Sequence, residues 1–395
     1  MELTKIKIEG VAGIEELEIT PNDKINILCG PNGIGKTTVL EVISHIFANG
    51  RTSILKTNAN ADSSKVSFTF DVDGETKTQE VTFNTFKPDT NARIVGAHVE
   101  SSGILTLKTQ RLFPYTNLQN IERDEQKDDS KLWNDAINGI NITNVKNWFV
   151  RRYMFEPHSE GQGLTPEQKN NFSLAKRCFS LLNPEFTFSR VDSSTNDILI
   201  NTPNGEIYYE YLSAGFKSII AVVFGIIKEI EFRFTDPQIN AQDFNGIIVI
   251  DEIELHLHPE WQSKVISILE TTFPNAQFFV STHSPHIIQS AKPDQIIALE
   301  RDNNKVIERE LPESEFGFQG WTIEEVLIDV MGMEDLRTQI FTELMDSFSS
   351  AIDNDNLETA QNTYNELNIM LHPNNPVRKL LKFQLAGVND DRAHD

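Results

Sequence analysis

Gly30-Pro-Asn-Gly-Ile-Gly35-Lys36-Thr37 follows the pattern G-x-x-x-x-G-K-[ST], whose residue types and spacing are those needed to hold a polyphosphate. Glycines let backbone N–H groups face the phosphates, and a helix starting at the turn adds its positive end. On this reading Asn32, Gly33, Ile34, Gly35, Lys36, Thr37 and Thr38 cradle ATP. Lys36 reaches the β- and γ-phosphates, and the Thr37 hydroxyl ligates Mg2+. A second constellation, Ile247-Ile-Val-Ile-Asp251-Glu252, is an apolar run ending in two carboxylates. Asp251 then holds Mg2+, usually through water, and Glu252 polarises the attacking water. A third run, Phe278-Phe-Val-Ser-Thr-His283, ends in an imidazole able to contact the γ-phosphate. Gln110, after the apolar segment 103–108, is the candidate that links Mg2+ to the segment following it; the alternative is an ordinary surface glutamine.

Each of these groups needs an element to carry it. The apolar run 25–29 feeds the glycine turn as a strand, and a helix follows at 36–47. Residues 53–108 are rich in Thr, Val and Phe with period-two alternation, which predicts an antiparallel sheet with a turn at Asp73-Gly74. From 112 to 183 polar loops alternate with amphipathic pieces, an inserted and mostly helical lobe. Strands are expected at 186–191, 197–201 and 206–210, a helix at 214–234, a strand at 247–251 and a helix at 260–272. A strand at 277–281 and a short helix at 285–291 follow. The tail from Trp321 reads as helical, with a polar hinge at 353–356 between helices 336–351 and 357–371.

Composition narrows the function. Against 58 Asp and Glu stand 35 Lys and Arg, a net charge of −23, so the chain repels a phosphate backbone unless its cations gather on one face. Autonomous nucleic-acid binding is therefore not expected. The first residues alternate polar with apolar and lack the apolar centre of a signal peptide, and the run 219–227 is too short to span a bilayer. Two cysteines build neither a disulfide framework nor a zinc set, so a reducing bacterial cytoplasm is expected. Cys29 reads as a small core residue. His256 and His258, near Glu254, are expected to shape a subunit contact, a zinc site being the alternative. Arg151 and Arg152, beside Trp148, Phe149 and Tyr153, are expected to snorkel from an amphipathic helix, stacking on bases being the alternative.

Taken in order, Gly30–Thr37, Tyr211-Leu-Ser213-Ala-Gly215, Asp251-Glu252, Glu254–Pro259 and His283 resemble the ABC ATPase superfamily. The resemblance implies an α/β fold: an ABC-type P-loop NTPase with a mixed β core, an antiparallel sheet subdomain, an inserted helical lobe and a C-terminal helical tail. It divides the chain at 1–111, 112–183, 184–300 and 301–395. It also implies that Ser213, Ala214 and Gly215 close over ATP held by another copy, so that a homodimer or higher homo-oligomer sandwiches the nucleotide. Lys36, Glu252 and His283 would be the catalytic groups of an ATP phosphohydrolase. Phe216 stands where a Gln or Glu often follows the signature glycine, and Ala214 replaces a Ser or Gly, which alters how the signature couples to its neighbours.

Within that superfamily, the long interval between Ser213 and Asp251 argues against a transporter subunit, and residues 112–183 lack the heptads of a coiled-coil arm. The tail beyond Ser290 lacks the acidic cluster of a Toprim nuclease. The segments 212–217, 250–262, 273–286 and 326–332 resemble AAA-family ATPases of bacterial anti-phage defence, most closely the PtuA family of Septu systems and of some retrons. Such ATPases are encoded beside an HNH-type nuclease. The resemblance thus implies an HNH partner docked on the C-terminal helices and, in a retron setting, a reverse transcriptase with its msDNA. Two other readings compete: a RecF-like or OLD-like ATPase acting on DNA in repair, and a module that holds ATP with little turnover.

Overall fold

The computed structural model describes residues 1–111, 115–158, 162–303, 305–312, 315–333 and 337–391. Two compact units divide the chain after Met333. In chain order the first contains β1 (Glu2–Val11), β2 (Ile14–Ile19), β3 (Ile25–Cys29), α1 (Lys36–His45), β4 (Asn49–Thr52), β5 (Ser64–Val72), β6 (Glu75–Phe83), β7 (Ala92–Val95) and β8 (Ile104–Leu107). Then come α2 (Asp129–Asn138), α3 (Val145–Phe155), α4 (Pro166–Leu182), β9 (Thr187–Val191), β10 (Ile198–Thr202), β11 (Gly205–Tyr208), α5 (Ala214–Arg233), β12 (Ile247–Ile250) and α6 (Pro259–Thr272). It closes with β13 (Gln277–Ser281), α7 (Pro285–Ser290), β14 (Ile296–Asp302), β15 (Lys305–Glu308) and the one-turn α8 (Ile323–Glu325).

A six-stranded sheet in the order β15-β14-β3-β13-β12-β8 carries the chemistry. From β14 to β8 every pairing is parallel, and β15 alone runs antiparallel. Every residue of β3, β12, β13 and β8 is buried, as expected for strands covered on both faces, which explains why they read as mainly apolar runs. Because these four strands are parallel, the turns that follow β3, β12, β13 and β8 all leave from one edge, where open α/β sheets bind ligands. The segment 53–108 was expected to form one antiparallel sheet; its β5–β6 hairpin does join β2-β1-β5-β6, with Asp73 and Gly74 at positive φ in the turn, but β7 pairs with β4 and β8 pairs parallel to β12. The hairpin β14–β15 was not anticipated. The same residues, taken from 301 onward, were expected to open a helical region.

The inserted helices are part of the body. The aromatic rings of Phe149 in α3, Phe172 and Phe179 in α4, and Phe216 and Phe224 in α5 share one core with β3, β12 and β13. Phe149 stacks on Phe224 with centroids 5.1 Å apart, and Phe172 lies edge-on to Phe149 at 4.9 Å. Buried ion pairs stitch the same helices together. Arg152 is 1% exposed and pairs with Glu231 at 2.6 Å and Asp124 at 2.9 Å, while Trp148 Nε1 donates to Glu231 at 2.8 Å. This corrects the expected snorkelling: only Arg151 stays partly in solvent, at 3.4 Å from Asp124. An amphipathic pattern predicts a charged face in water, whereas α3 has a second covering layer in the 122–128 segment and α5.

The second unit holds α9 (Gln339–Asp353), α10 (Leu357–Met370) and α11 (Val377–Asp391) around Phe348, Ala351, Ala360, Leu367, Leu381 and Leu385. The polar break between α9 and α10 falls where predicted, and the Asn356 side chain caps α10 by accepting from Thr359 N at 3.2 Å. The expected helix start at 336 and the first residues of the insertion, 112–114, lie outside the described residues. No helix among the described residues is long and apolar enough to cross a membrane.

Candidate active site

The turn from β3 to α1 has the backbone its glycines permit. Gly30 has φ 138° and Gly35, the residue before α1, φ 119°, and a Cβ at Gly30 would come within 2.4 Å of the Leu299 carbonyl oxygen on β14. Lys36 opens α1 and folds back into the turn, its ammonium donating to the carbonyls of Gly30 at 2.8 Å and Pro31 at 3.0 Å. Burial pushes this ammonium below its ordinary value, and the negative Glu254, Asp251 and Glu252 act in the opposite direction. An anion entering the turn meets a cation already aimed at it.

One residue further, Thr37 Oγ1 lies 3.2 and 3.3 Å from the two carboxylate oxygens of Asp251 at the end of β12. The two residues are 214 apart in sequence. Ser281 at the end of β13 donates its hydroxyl to Asp251 and accepts from Glu252 N at 2.7 Å. Gln110 lines, with Thr37, Asp251, Glu41 and Lys108, a cavity of about 550 Å3. A hydroxyl, a carboxylate and a side-chain amide around one cavity are the hard oxygen donors that suit Mg2+, which keeps several waters of its own. The residues present therefore fit the ion.

Glu252 stands in the left-handed region at φ 47°, half-buried, and among the described residues no hydrogen-bond donor reaches its carboxylate. Behind it, Glu254 accepts from Thr282 Oγ1 at 2.7 Å and from His283 N at 2.6 Å, so the turn after β13 is fastened to the turn after β12. That leaves the His283 ring exposed.

Ser213, Ala214 and Gly215 sit elsewhere on the same chain. Ser213 is the cap of α5, its hydroxyl accepting from Phe216 N at 3.3 Å, and both Ser213 and Ala214 are exposed. Among the described residues no hydrogen bond or ion pair joins 213–215 to 30–38. What α5 does touch is the segment after Glu252: a Cβ on Gly215 would lie 3.1 Å from the His256 carbonyl, and Ser218 Oγ donates to Leu255 O at 3.2 Å. His256, at φ 67°, and His258 are exposed, and His258 caps α6. Phe216, in place of a polar residue, fills a core position against Phe179 and Trp261. Cys29 is fully buried, its thiol pushed up to about 12 by burial.

Three groups at the site were not anticipated. Glu41, one turn beyond Thr37 on α1, pairs with Lys108, and burial pushes its carboxyl up. Ser281 lies inside the run that was read only for His283. Arg111 is 2% exposed and donates to the carbonyls of both Asp251 and Glu252, the latter at 2.6 Å; burial pulls it down to about 10. Gln110-Arg111, shortly after β8, carries no local mark of this, since the partner carbonyls come from the turn after β12, 140 and 141 residues away.

The family described as "AAA domain, putative AbiEii toxin, Type IV TA system" matches residues 25–289, which hold every group above. Septu protein PtuA of Bacillus thuringiensis is 42% identical over 388 residues, covering 97% of this chain and 98% of that protein. Retron Ec83 probable ATPase of Escherichia coli is 30% identical over 160 residues, 38% of this chain and 29% of that protein. Among solved structures, the SMC head domain from Thermotoga maritima covers 79% of this chain and 100% of its own, at 16% identity and a TM-score of 0.45.

Proposed function

The chain belongs to the PtuA family of P-loop ATPases of anti-phage defence, and from that premise we propose that two copies close around Mg-ATP and that this assembly scaffolds and regulates an HNH-type nuclease. The observation that carries the first part is the exposed α5 N-terminus. Ser213 and Ala214 offer a helix dipole and free N–H groups to a phosphate, yet have no bond to the phosphate turn of their own chain. A second copy related by a two-fold axis would bring each α5 to the other's Lys36. The exposed His283, His256 and His258 lie on turns fastened to the same edge and would join that contact.

In the closed site, Lys36 and the α5 N-terminus hold the phosphates, and Thr37, Asp251 and Gln110 hold Mg2+. The ion supplies charge neutralisation for the leaving phosphate oxygens. Glu252, with its carboxylate unengaged, takes the proton of the attacking water, and His283 steadies the γ-phosphate. Two buried free thiols, Cys29 and Cys178, suit a reducing bacterial cytoplasm.

The second unit supports the scaffold reading. On α11, Phe383 is 78% and Leu380 56% exposed, flanked by exposed Lys379 and Lys382 in a chain that is otherwise strongly acidic. This stripe suits a protein partner with an apolar, acid-rimmed groove. The double variant Leu380→Asp, Phe383→Asp is expected to lose at least about tenfold in affinity for the co-expressed HNH nuclease while its ATP turnover stays within about twofold. Pull-down and phosphate release measured on the same preparation check this. Undiminished capture of the nuclease would rule out α11 as the docking face.

A further inference from the structure

We infer that Arg111 is a positioning residue that sets the Glu252 carboxylate for water activation, by gripping the main chain of the turn that carries it. The inference rests on the reading of Glu252 as the general base. Glu252 is held at φ 47°, a left-handed conformation that strains a residue with a Cβ and persists only where the surroundings enforce it. The enforcement is visible on both sides of the residue. On one side Ser281 Oγ accepts from Glu252 N at 2.7 Å, and Ile253 N donates to Ser281 O at 3.1 Å. On the other, the Arg111 guanidinium donates to the consecutive carbonyls of Asp251 and Glu252.

One guanidinium nitrogen, Nη2, donates to both carbonyls while Nε, fixed in the same plane, faces the other way along the strand; a lysine has only one nitrogen to place. Arg111 is anchored in turn. Its Nε donates to Lys108 O at 3.2 Å, just beyond β8, whose Leu107 is in register with Ile250 of β12 and accepts from Asp251 N at 3.0 Å. The side chain thus ties the strand that leads to Gln110 to the turn that carries Glu252. Arg111 is 2% exposed and its guanidinium is engaged with three main-chain carbonyls, so it acts through the turn of Glu252 rather than on ATP.

The test compares Arg111→Met, Arg111→Lys, Glu252→Gln and the double variant Arg111→Met, Glu252→Gln. Melting temperature, ATP affinity with Mg2+, and single-turnover hydrolysis are measured for each. Arg111→Met is expected to cut the hydrolysis rate about 50-fold with ATP affinity changed less than about threefold, the split that separates an effect on the chemical step from one on binding. Arg111→Lys is expected about tenfold slow, since its single nitrogen cannot hold both the turn carbonyls and Lys108 O, and it decides the matter if the methionine variant does not fold. In the Glu252→Gln background Arg111→Met should cost less than about twofold more, because a positioning group has nothing left to position. The inference is overturned if the two losses multiply, if affinity falls as far as rate, or if Arg111→Lys hydrolyses at the wild-type rate. Full activity in Glu252→Gln would remove the reading of Glu252 and this inference with it. An inactive Glu252→Gln beside a fully active Arg111→Met would overturn the inference alone.

Discussion

Lys36→Ala is expected to weaken ATP binding by at least about 100-fold and to bring turnover below detection, the loss of two or more charge-assisted phosphate bonds. The ammonium sits folded into the turn, 2.8 Å from the Gly30 carbonyl and 3.0 Å from that of Pro31, so it points where the β- and γ-phosphates must lie. Nothing else in the turn supplies that charge. The fold should survive, because alanine is the best helix former and the lost ammonium is one that burial disfavours. A melting temperature within a few degrees of wild type, together with a nucleotide titration, checks both halves. An affinity within about threefold of wild type would mean that the phosphates lie elsewhere.

Glu252→Gln is expected to slow hydrolysis by about 10^2- to 10^4-fold and to leave ATP affinity within about threefold, the range by which a positioned base contributes. The substitution keeps shape and removes only the proton acceptor. Its backbone is fixed through Ser281 and Arg111, independently of the carboxylate, so the turn at φ 47° should be unaffected. Bound ATP should then persist, and the assembly that it closes should accumulate. Light scattering with Mg-ATP should therefore show a gain of at least one protomer for this variant that decays in wild type as ATP is consumed. Rapid phosphate release from Glu252→Gln would assign the base to another group.

How far the sequence revealed the site depended on whether local chemistry or distant packing set each residue. That Gly30–Thr38 forms a turn between a strand and a helix, and that Asp251 and Glu252 follow a buried strand, was legible from residue types and their spacing. The helix beginning at Ala214 was legible within a residue of its end from its cap and its apolar length. The strands β14 and β15 were not, since Ile296-Ile-Ala-Leu followed by charge fits several structures, and only parallel pairing with β3 makes it a strand. Arg152 and Arg111 were misread or missed for a related reason. A lone arginine looks solvated until a remote element covers it, and the covering groups, Glu231 for one and the carbonyls after β12 for the other, lie 79 and 140 residues away. Glu41 and Ser281 belong to helix and strand segments whose other residues already explained the pattern. The insertion was legible as helical, but its merger into the core depended on ring packing between Phe149, Phe172 and Phe224 that no spacing reveals.

The most direct test of a site shared between two copies is complementation by mixing. Lys36→Ala lacks the phosphate cation and Ser213→Arg blocks the α5 N-terminus, so each alone should be inactive. In a mixed dimer, one of the two sites joins the intact Lys36 of the second variant to the intact Ser213 of the first. An equimolar mixture should recover about a quarter of wild-type ATP turnover, half the dimers being mixed and each carrying one working site. A mixture that stays at the level of either variant alone would show that each chain completes its own site, and would contradict the account.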